Sequence, residues 1–159
     1  MMGYEVTGMP TKAGQENTPT LGFTMGVTYR KLSMYLQHRL KPFDLTPEQW
    51  SVLLEVDSAE GLIQKEIAER TSKDHPTTTR ILDQLESKGL VYRQKGKQDR
   101  RSYLVFSTEK AKPMIEAGKG YEQEMKNELL ECVTEQEYEV MMELLHRIDR
   151  HFSGVNKDF

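Results

Sequence analysis

The sequence predicts a mainly α-helical chain with one small β-hairpin. Three observations point there. Apolar residues recur at three- and four-residue steps through much of residues 21–152, the spacing of one helix face. Thr46 with Gln49, and Thr134 with Glu137, have the spacing of capping boxes that open helices. One stretch alone, Leu90–Gln94 with Ser102–Phe106, has the β-branched and aromatic content of two paired strands, around a polar loop with a glycine.

The elements follow in order. Residues 1–20 mix Gly, Pro, Thr and single charges without periodicity and read as a loose N-terminal arm. From Leu21, the residues Met25, Tyr29, Leu32, Leu36 and Leu40 form one helix face, stopped near Pro42. Thr46 caps a second helix, Pro47 suits its first turn, and Trp50, Leu53 and Leu54 supply its buried face. After Gly61 comes a short helix, Gln64 to Arg70, with Ile67 and Ala68 inward. Thr71 to His75 is a tight polar connection, and Pro76 pushes His75 out of the helical region, so the next helix starts about there. That helix buries Thr78, Ile81, Leu82 and Leu85, runs to Lys88 and ends at Gly89. Two short helices joined by a tight turn have the outline of a helix-turn-helix, and the hairpin after them, with its tip at Lys95–Arg101, is a wing.

Two long helices complete the chain. The first starts near Ser107 and carries Met114, Gly118, Tyr121, Met125, Leu129 and Cys132 at helical spacing. Pro113, Gly118 and Gly120 predict a kink in its first half, and Gly118 on the apolar stripe predicts close approach of another helix. The second opens at Thr134 and places Tyr138, Met141, Leu145, Ile148 and Phe152 at three-four steps, a seam suited to another helix. The expected organisation is a single domain over 21–152 between the arm and a tail at 153–159. Within it, 45–106 form a winged helix-turn-helix lobe, and 21–42 with 107–152 form dimerisation helices.

Composition narrows the function. With 36% hydrophobic and 30% charged residues, the chain suits amphipathic helices with much solvated surface, or a core completed by a partner chain. No window approaches the roughly 20 apolar residues of a bilayer span, and no signal-peptide pattern opens the chain. A cytoplasmic protein without a membrane partner is expected. Cys132, the only cysteine, excludes an intramolecular disulfide, and with Glu131 beside it and no adjacent cation it is expected to be a packed, inert thiol. There is no Ser-His-Asp grouping, phosphate-cradling glycine loop or His-Glu-x-x-His motif, so no catalytic residues or cofactor are expected. His146 and His151 lie five apart, about 140° around a helix, and do not converge on a metal.

The net charge of −3 is unevenly spread. Between Lys88 and Arg101 stand Lys88, Arg93, Lys95, Lys97, Arg100 and Arg101 against Asp99 alone: six minus one gives +5, leaving −8 elsewhere. A local basic patch on an acidic chain is compatible with nucleic-acid binding.

Gln64–Arg70, Pro76–Val91 and Asp99-Arg100-Arg101-Ser102, followed by Leu104 and Ser107–Lys110, in that order and spacing, resemble the multiple-antibiotic-resistance regulator (MarR) family over about Leu21 to Phe152. The resemblance implies a winged helix-turn-helix regulator bound as a homodimer to pseudo-palindromic duplex DNA in the nucleoid. A repressor released by a small aromatic or phenolic effector is the form expected. Phe106-Ser107-Thr108 and the stretch from Pro113 to Gly120 depart from the family pattern, at the entry to the dimerisation helices.

In such a protein the helix from Pro76 enters the major groove. Its inward positions are taken, so Thr77, Arg80 and Gln84 face outward, with His75 at the mouth and Thr79 beside them. Arg80 is matched to guanine, Gln84 to adenine, Thr77 to a base or phosphate, and Lys73 to phosphate. By the resemblance Arg101 enters the minor groove, oriented by Asp99, while Lys95, Lys97 and Arg100 meet phosphates. Tyr35, His38, Arg39, Phe43 and Trp50 are the expected effector pocket. Met25, Leu32, Leu36, Tyr121, Met125, Tyr138, Met141, Leu145, Ile148 and Phe152 are the expected dimer contacts. The alternative is a winged-helix module that docks proteins, against which the Asp99-Arg100-Arg101 tip and its flanking lysines argue.

Overall fold

The structure, a computed structural model, describes residues 19–96 and 103–155. Helix α1 (Leu21–Leu40) is capped by Thr20, whose Oγ1 accepts from the Phe23 N–H at 3.3 Å. It tightens into a 3-10 turn at Lys41–Phe43, and Asp44 reverses the chain with a left-handed φ of 53°. Helix α2 (Pro47–Asp57) begins on a full capping box: Thr46 Oγ1 accepts from the Gln49 N–H at 3.2 Å, and Gln49 Oε1 accepts from the Thr46 N–H at 3.3 Å.

Gly61, at φ 95°, then turns the chain into a two-residue strand, β1 (Leu62–Ile63), which runs straight into α3 (Gln64–Arg70). Strand β1 has too few residues to show an alternating pattern and was not expected from the sequence. Any Cβ at Gly61 would sit 2.7 Å from the Phe106 ring, so the pairing of β1 with the wing also needs glycine here. Helix α4 (His75–Ser87) leads through Gly89, φ 72°, into β2 (Val91–Lys95). Strand β3 (Tyr103–Ser107) pairs antiparallel with both others in the order β1-β3-β2, Val91 facing Ser107 and Lys95 facing Tyr103. Both long strands lie one residue later than the sequence reading placed them.

Two boundaries are corrected. Asp74 is the cap of α4 and His75 its first residue, because the Asp74 side chain accepts from the Thr77 N–H at 2.7 Å and holds the chain helical from His75 onward. Helix α5 (Lys112–Leu130) starts after a 3-10 turn at Glu109–Ala111, which leaves Pro113 in its first turn. A proline there has no intrahelical N–H bond to lose, so the expected kink has no cause, and α5 continues unbroken through Gly118 and Gly120. Helix α6 (Glu135–Val155) opens on the second capping box, with Thr134 Oγ1 accepting from the Glu137 N–H at 3.2 Å.

One core serves the described residues. Trp50, Leu53 and Val56 of α2 meet Ile67 of α3, Ile81, Leu82 and Leu85 of α4 and Val105 of β3, closed above by Leu36 and Leu40 of α1 and Ile115 of α5. By contrast α6 has no buried residue, and Leu21, Phe23, Met25 and Tyr29 leave the first half of α1 bare as well.

Candidate nucleic-acid interface

Helix α4 divides cleanly into two faces. Thr78, Ile81, Leu82 and Leu85 are at most 1% exposed, which fixes the helix rotation and leaves His75, Arg80 and Asp83 in solvent. The Asp74 carboxyl at its start is held below the ordinary aspartate range, foremost by the Thr77 backbone N–H, then by the Thr77 hydroxyl and, weakly, by the charge of His75. Thr78 Oγ1 donates back to the Asp74 carbonyl at 2.8 Å. The first turn of α4 is thereby closed on Asp74, which takes the Thr77 and Thr78 N–H groups.

The outward side chains have unequal freedom. Arg80 is exposed and makes no ion pair or side-chain hydrogen bond among the described residues. Asp83, the acid three residues along the same face, is taken instead by Arg93 of β2, at 2.6 Å, and the same guanidinium also pairs with Glu86. Thr79 is tied on both sides: its hydroxyl accepts from Gln64 Nε2 at 2.6 Å and donates to the His75 carbonyl at 2.9 Å. That makes Thr79 a brace between α3 and α4 rather than an open donor. Gln84 is half-buried, its Oε1 accepting from Gln49 Nε2 at 3.0 Å. Gln49 in turn accepts from Lys88 Nζ at 3.1 Å, and Lys88 pairs with Asp44 at 3.2 Å. The sequence marked Gln49 as a capping-box residue, but its bond to Gln84 and that of Gln64 to Thr79 were not expected, because those partners lie 35 and 15 residues away.

The basic cluster is correspondingly redistributed. Lys88 and Arg93 are spent on Asp44, Asp83 and Glu86, while Lys95 stands exposed at the end of β2. Lys97, Asp99, Arg100 and Arg101 lie outside the described residues. Lys73 is half-buried and lines a cleft behind α4.

That cleft, of about 450 Å³, opens between α1, α2, α5 and the end of α3, lined among others by Tyr29, Leu32, Trp50, Leu54, Arg70 and Met125. Of the five expected effector residues it contains Trp50 alone, whose Nε1 donates to Glu122 at 3.0 Å. Gly118 makes that packing possible, since a Cβ there would lie 2.4 Å from the Trp50 ring. Arg39 lies over the Tyr35 ring, donates to its hydroxyl at 3.2 Å and pairs with Glu124 of α5 at 3.2 Å. His38 lines a separate hollow with Met34, Gln37 and Lys41, and Phe43 packs near Tyr121 with ring centroids 6.4 Å apart. The five therefore do not converge on one cavity.

Of the expected dimer contacts, Met25, Met141, Leu145, Ile148 and Phe152 are exposed. Leu36 is buried within the chain, Leu32 and Met125 line the cleft, Tyr121 packs on the core, and Tyr138 lies under Lys126 at 5.0 Å. Cys132 is exposed, with its thiol donating to the Leu129 carbonyl at 3.2 Å, which corrects the packed environment read from the sequence: the helix ends at Leu130 and the cysteine sits in the turn. Among the described residues no group of three or more His, Cys, Asp or Glu is placed to hold a metal, and no helix is long and apolar enough to cross a membrane.

Comparison with known proteins agrees with this architecture. Residues 45–103 match the MarR family model. The chain is similar to the transcriptional regulator SlyA, at 27% identity over 82% of this chain and 92% of that one, TM-score 0.77. It is similar to the transcriptional repressor CouR, solved on a 23-mer DNA duplex, at 27% identity over 88% of this chain and 99% of that one, TM-score 0.78. A mutant MarR from E. coli, complexed with operator DNA, gives 29% identity over 80% and 92%, TM-score 0.75. The helix-turn-helix, the three-stranded wing and the long flanking helices thus fall together in one known arrangement, that of solved MarR-type regulators, and the lobe at 45–103 matches the MarR family.

Proposed function

We propose that the protein is a homodimeric transcription regulator that binds duplex DNA sequence-specifically, not an enzyme, and that it acts in the cytoplasm as a repressor released by a small molecule. The winged lobe at 45–106 grips DNA, and the helices at 21–42 and 107–152 join two copies. One observation carries the reading: α4 is locked by a buried inner face while Arg80 stands exposed on the outer one, beside a hairpin whose strand β2 ends in exposed Lys95. Arg80 reaches guanine O6 and N7 in the major groove, Thr77 and His75 lie at the mouth of the helix, and Lys95 meets a phosphate. Beyond Lys95, the tip residues Lys97, Asp99, Arg100 and Arg101 extend the grip, with Arg101 in the minor groove. CouR on a 23-mer DNA duplex and a mutant MarR on operator DNA support the reading that the lobe binds duplex DNA.

A second copy covers the bare face of α6 and the first half of α1. The cleft at Trp50 is the place for an apolar effector body, with Arg70 and Lys73 at its rim for an anionic group. The test is selection of bound sites from a random DNA pool, followed by binding of variants at several salt concentrations. Half-sites are expected about 10 bp apart. Arg80→Ala is expected to lose about 1–3 kcal/mol and flatten preference at one position per half-site. Lys95→Ala weakens all sequences alike and lowers the salt slope by about one. A uniform loss from both variants would refute sequence reading by α4.

A further inference from the structure

The hydrogen bonds around Gln49 fix the direction of the Gln84 amide on the outer surface of α4, the surface that faces DNA in the function proposed above, on which this inference rests. Gln49 Oε1 meets two groups that can only donate, the Thr46 backbone N–H at 3.3 Å and the Lys88 ammonium at 3.1 Å. Its oxygen is therefore assigned, and the atom it turns to Gln84 at 3.0 Å is its NH2. Gln84 must answer with its own oxygen. The amide of Gln84 thus points Oε1 inward and Nε2 away, on the outer surface of α4 that it shares with Arg80, Asp83 and Ser87. Gln49 is only 6% exposed and cannot turn over without leaving the Thr46 N–H unpaired and setting its own NH2 against the Lys88 ammonium.

We propose that Gln49 is a positioning residue that sets the base preference of Gln84. An unconstrained glutamine takes adenine with both its atoms, accepting from N6–H and donating to N7. With its oxygen engaged, Gln84 offers the groove two N–H donors and selects guanine, whose O6 and N7 both accept. This replaces the adenine contact expected from the sequence.

The experiment inverts the amide without touching it. In Gln49→Glu the carboxylate still accepts from Thr46, since glutamate suits the capping box equally, and it pairs with Lys88. Having no donor, it requires Gln84 to turn its Nε2 inward and Oε1 to the groove. Preference at the position that Gln84 reads then moves from guanine to a base with a donor there, adenine or cytosine, by about 5- to 100-fold. Gln49→Met, which removes the constraint and keeps the chain length, lets adenine compete at the same position. Thermal melts of all variants show that the fold persists, and site selection is run on wild type, both Gln49 variants, Gln84→Ala and Arg80→Ala. A wild-type preference retained by both Gln49 variants overturns the inference. So does a Gln84→Ala protein that keeps its preference at every position, in which case base reading by Arg80 still stands. Uniform weakening by both Arg80→Ala and Gln84→Ala overturns the inference and the proposed function together.

Discussion

Gly118→Ala tests how the DNA lobe is joined to the long helices. The added Cβ would lie 2.4 Å from two atoms of the Trp50 ring and 2.8 Å from a third, where ordinary contact begins at 3.4 Å. The ring or the helix must therefore move by about 1 Å, and the ring is 1% exposed with its Nε1 held by Glu122 at 3.0 Å, so its movement breaks that bond and loosens the packing around it. Overpacking of this kind costs about 1–3 kcal/mol. Losing the indole bond adds about 1 kcal/mol, and the better helix propensity of alanine returns about as much. A net loss of about 2 kcal/mol corresponds to a melting temperature lower by roughly 4–8 °C in a chain of this size. Gly120→Ala on the same helix is the control, because nothing lies within 4 Å of its Cβ, and it is expected to gain about 0.5–1 kcal/mol. Both are measured by urea unfolding at one protein concentration, with Trp50, the only tryptophan, as the fluorescent reporter. Equal stabilisation by the two alanines would refute the packing of α2 on α5.

Acid is expected to weaken the start of α4. The folded Asp74 carboxyl lies below its unfolded value, so its stabilisation is complete above the ordinary carboxylate range and disappears as pH falls through the depressed value. The stability gap between wild type and Asp74→Ala, followed by unfolding against pH, therefore closes in acid; a gap that stayed constant would remove the cap from the account. Leu145→Asp places a charge on the exposed seam of α6 that a second copy is proposed to cover, and it is expected to give single chains in sedimentation at low micromolar concentration. A two-chain species of unchanged strength would exclude that seam.

The fold was largely legible because caps and periodicity are local. Thr46 with Gln49 and Thr134 with Glu137 mark their helices within four residues, and the buried side of α4 follows from Thr78, Ile81, Leu82 and Leu85. Periodicity shows which face is apolar but not what covers it. Leu36 and Leu32 share a stripe with Met25, yet the first is buried inside the chain, the second lines a cleft and the third is bare. Strand β1 is set by Gly61 and by pairing of Leu62 with Val105, 43 positions away, which no window contains. At the site, the side chains that depart from the sequence reading are those with distant polar partners. Gln84 meets Gln49, Thr79 meets Gln64, and Arg93 meets two acids of the preceding helix.

Arg93 shows why counting charge along the chain was a partial guide. Asp83 and Glu86 lie on the outer half of α4, where two carboxylates would repel phosphates and compete for Arg80, three residues from Asp83 and a neighbour on the helix surface. Arg93, 23% exposed, comes across from β2 and pairs with both. Its charge is committed to these two carboxylates, which offsets the acidity of α4 and leaves Arg80 without an ion pair among the described residues. Arg93→Ala is therefore expected to act as Arg80→Ala does, although Arg93 itself reads no base. Asp83 would then attract Arg80 sideways, and preference at the Arg80 position would flatten along with a general loss of affinity. The double variant Arg93→Ala, Asp83→Ala removes the competitor and is expected to restore the preference while leaving affinity below wild type, since Glu86 stays uncompensated. Binding to the selected operator and to its point variants distinguishes these outcomes. If Arg93→Ala weakened all sequences equally and the double variant changed nothing, Arg93 would be a plain phosphate contact and the acids of α4 would play no part in freeing Arg80.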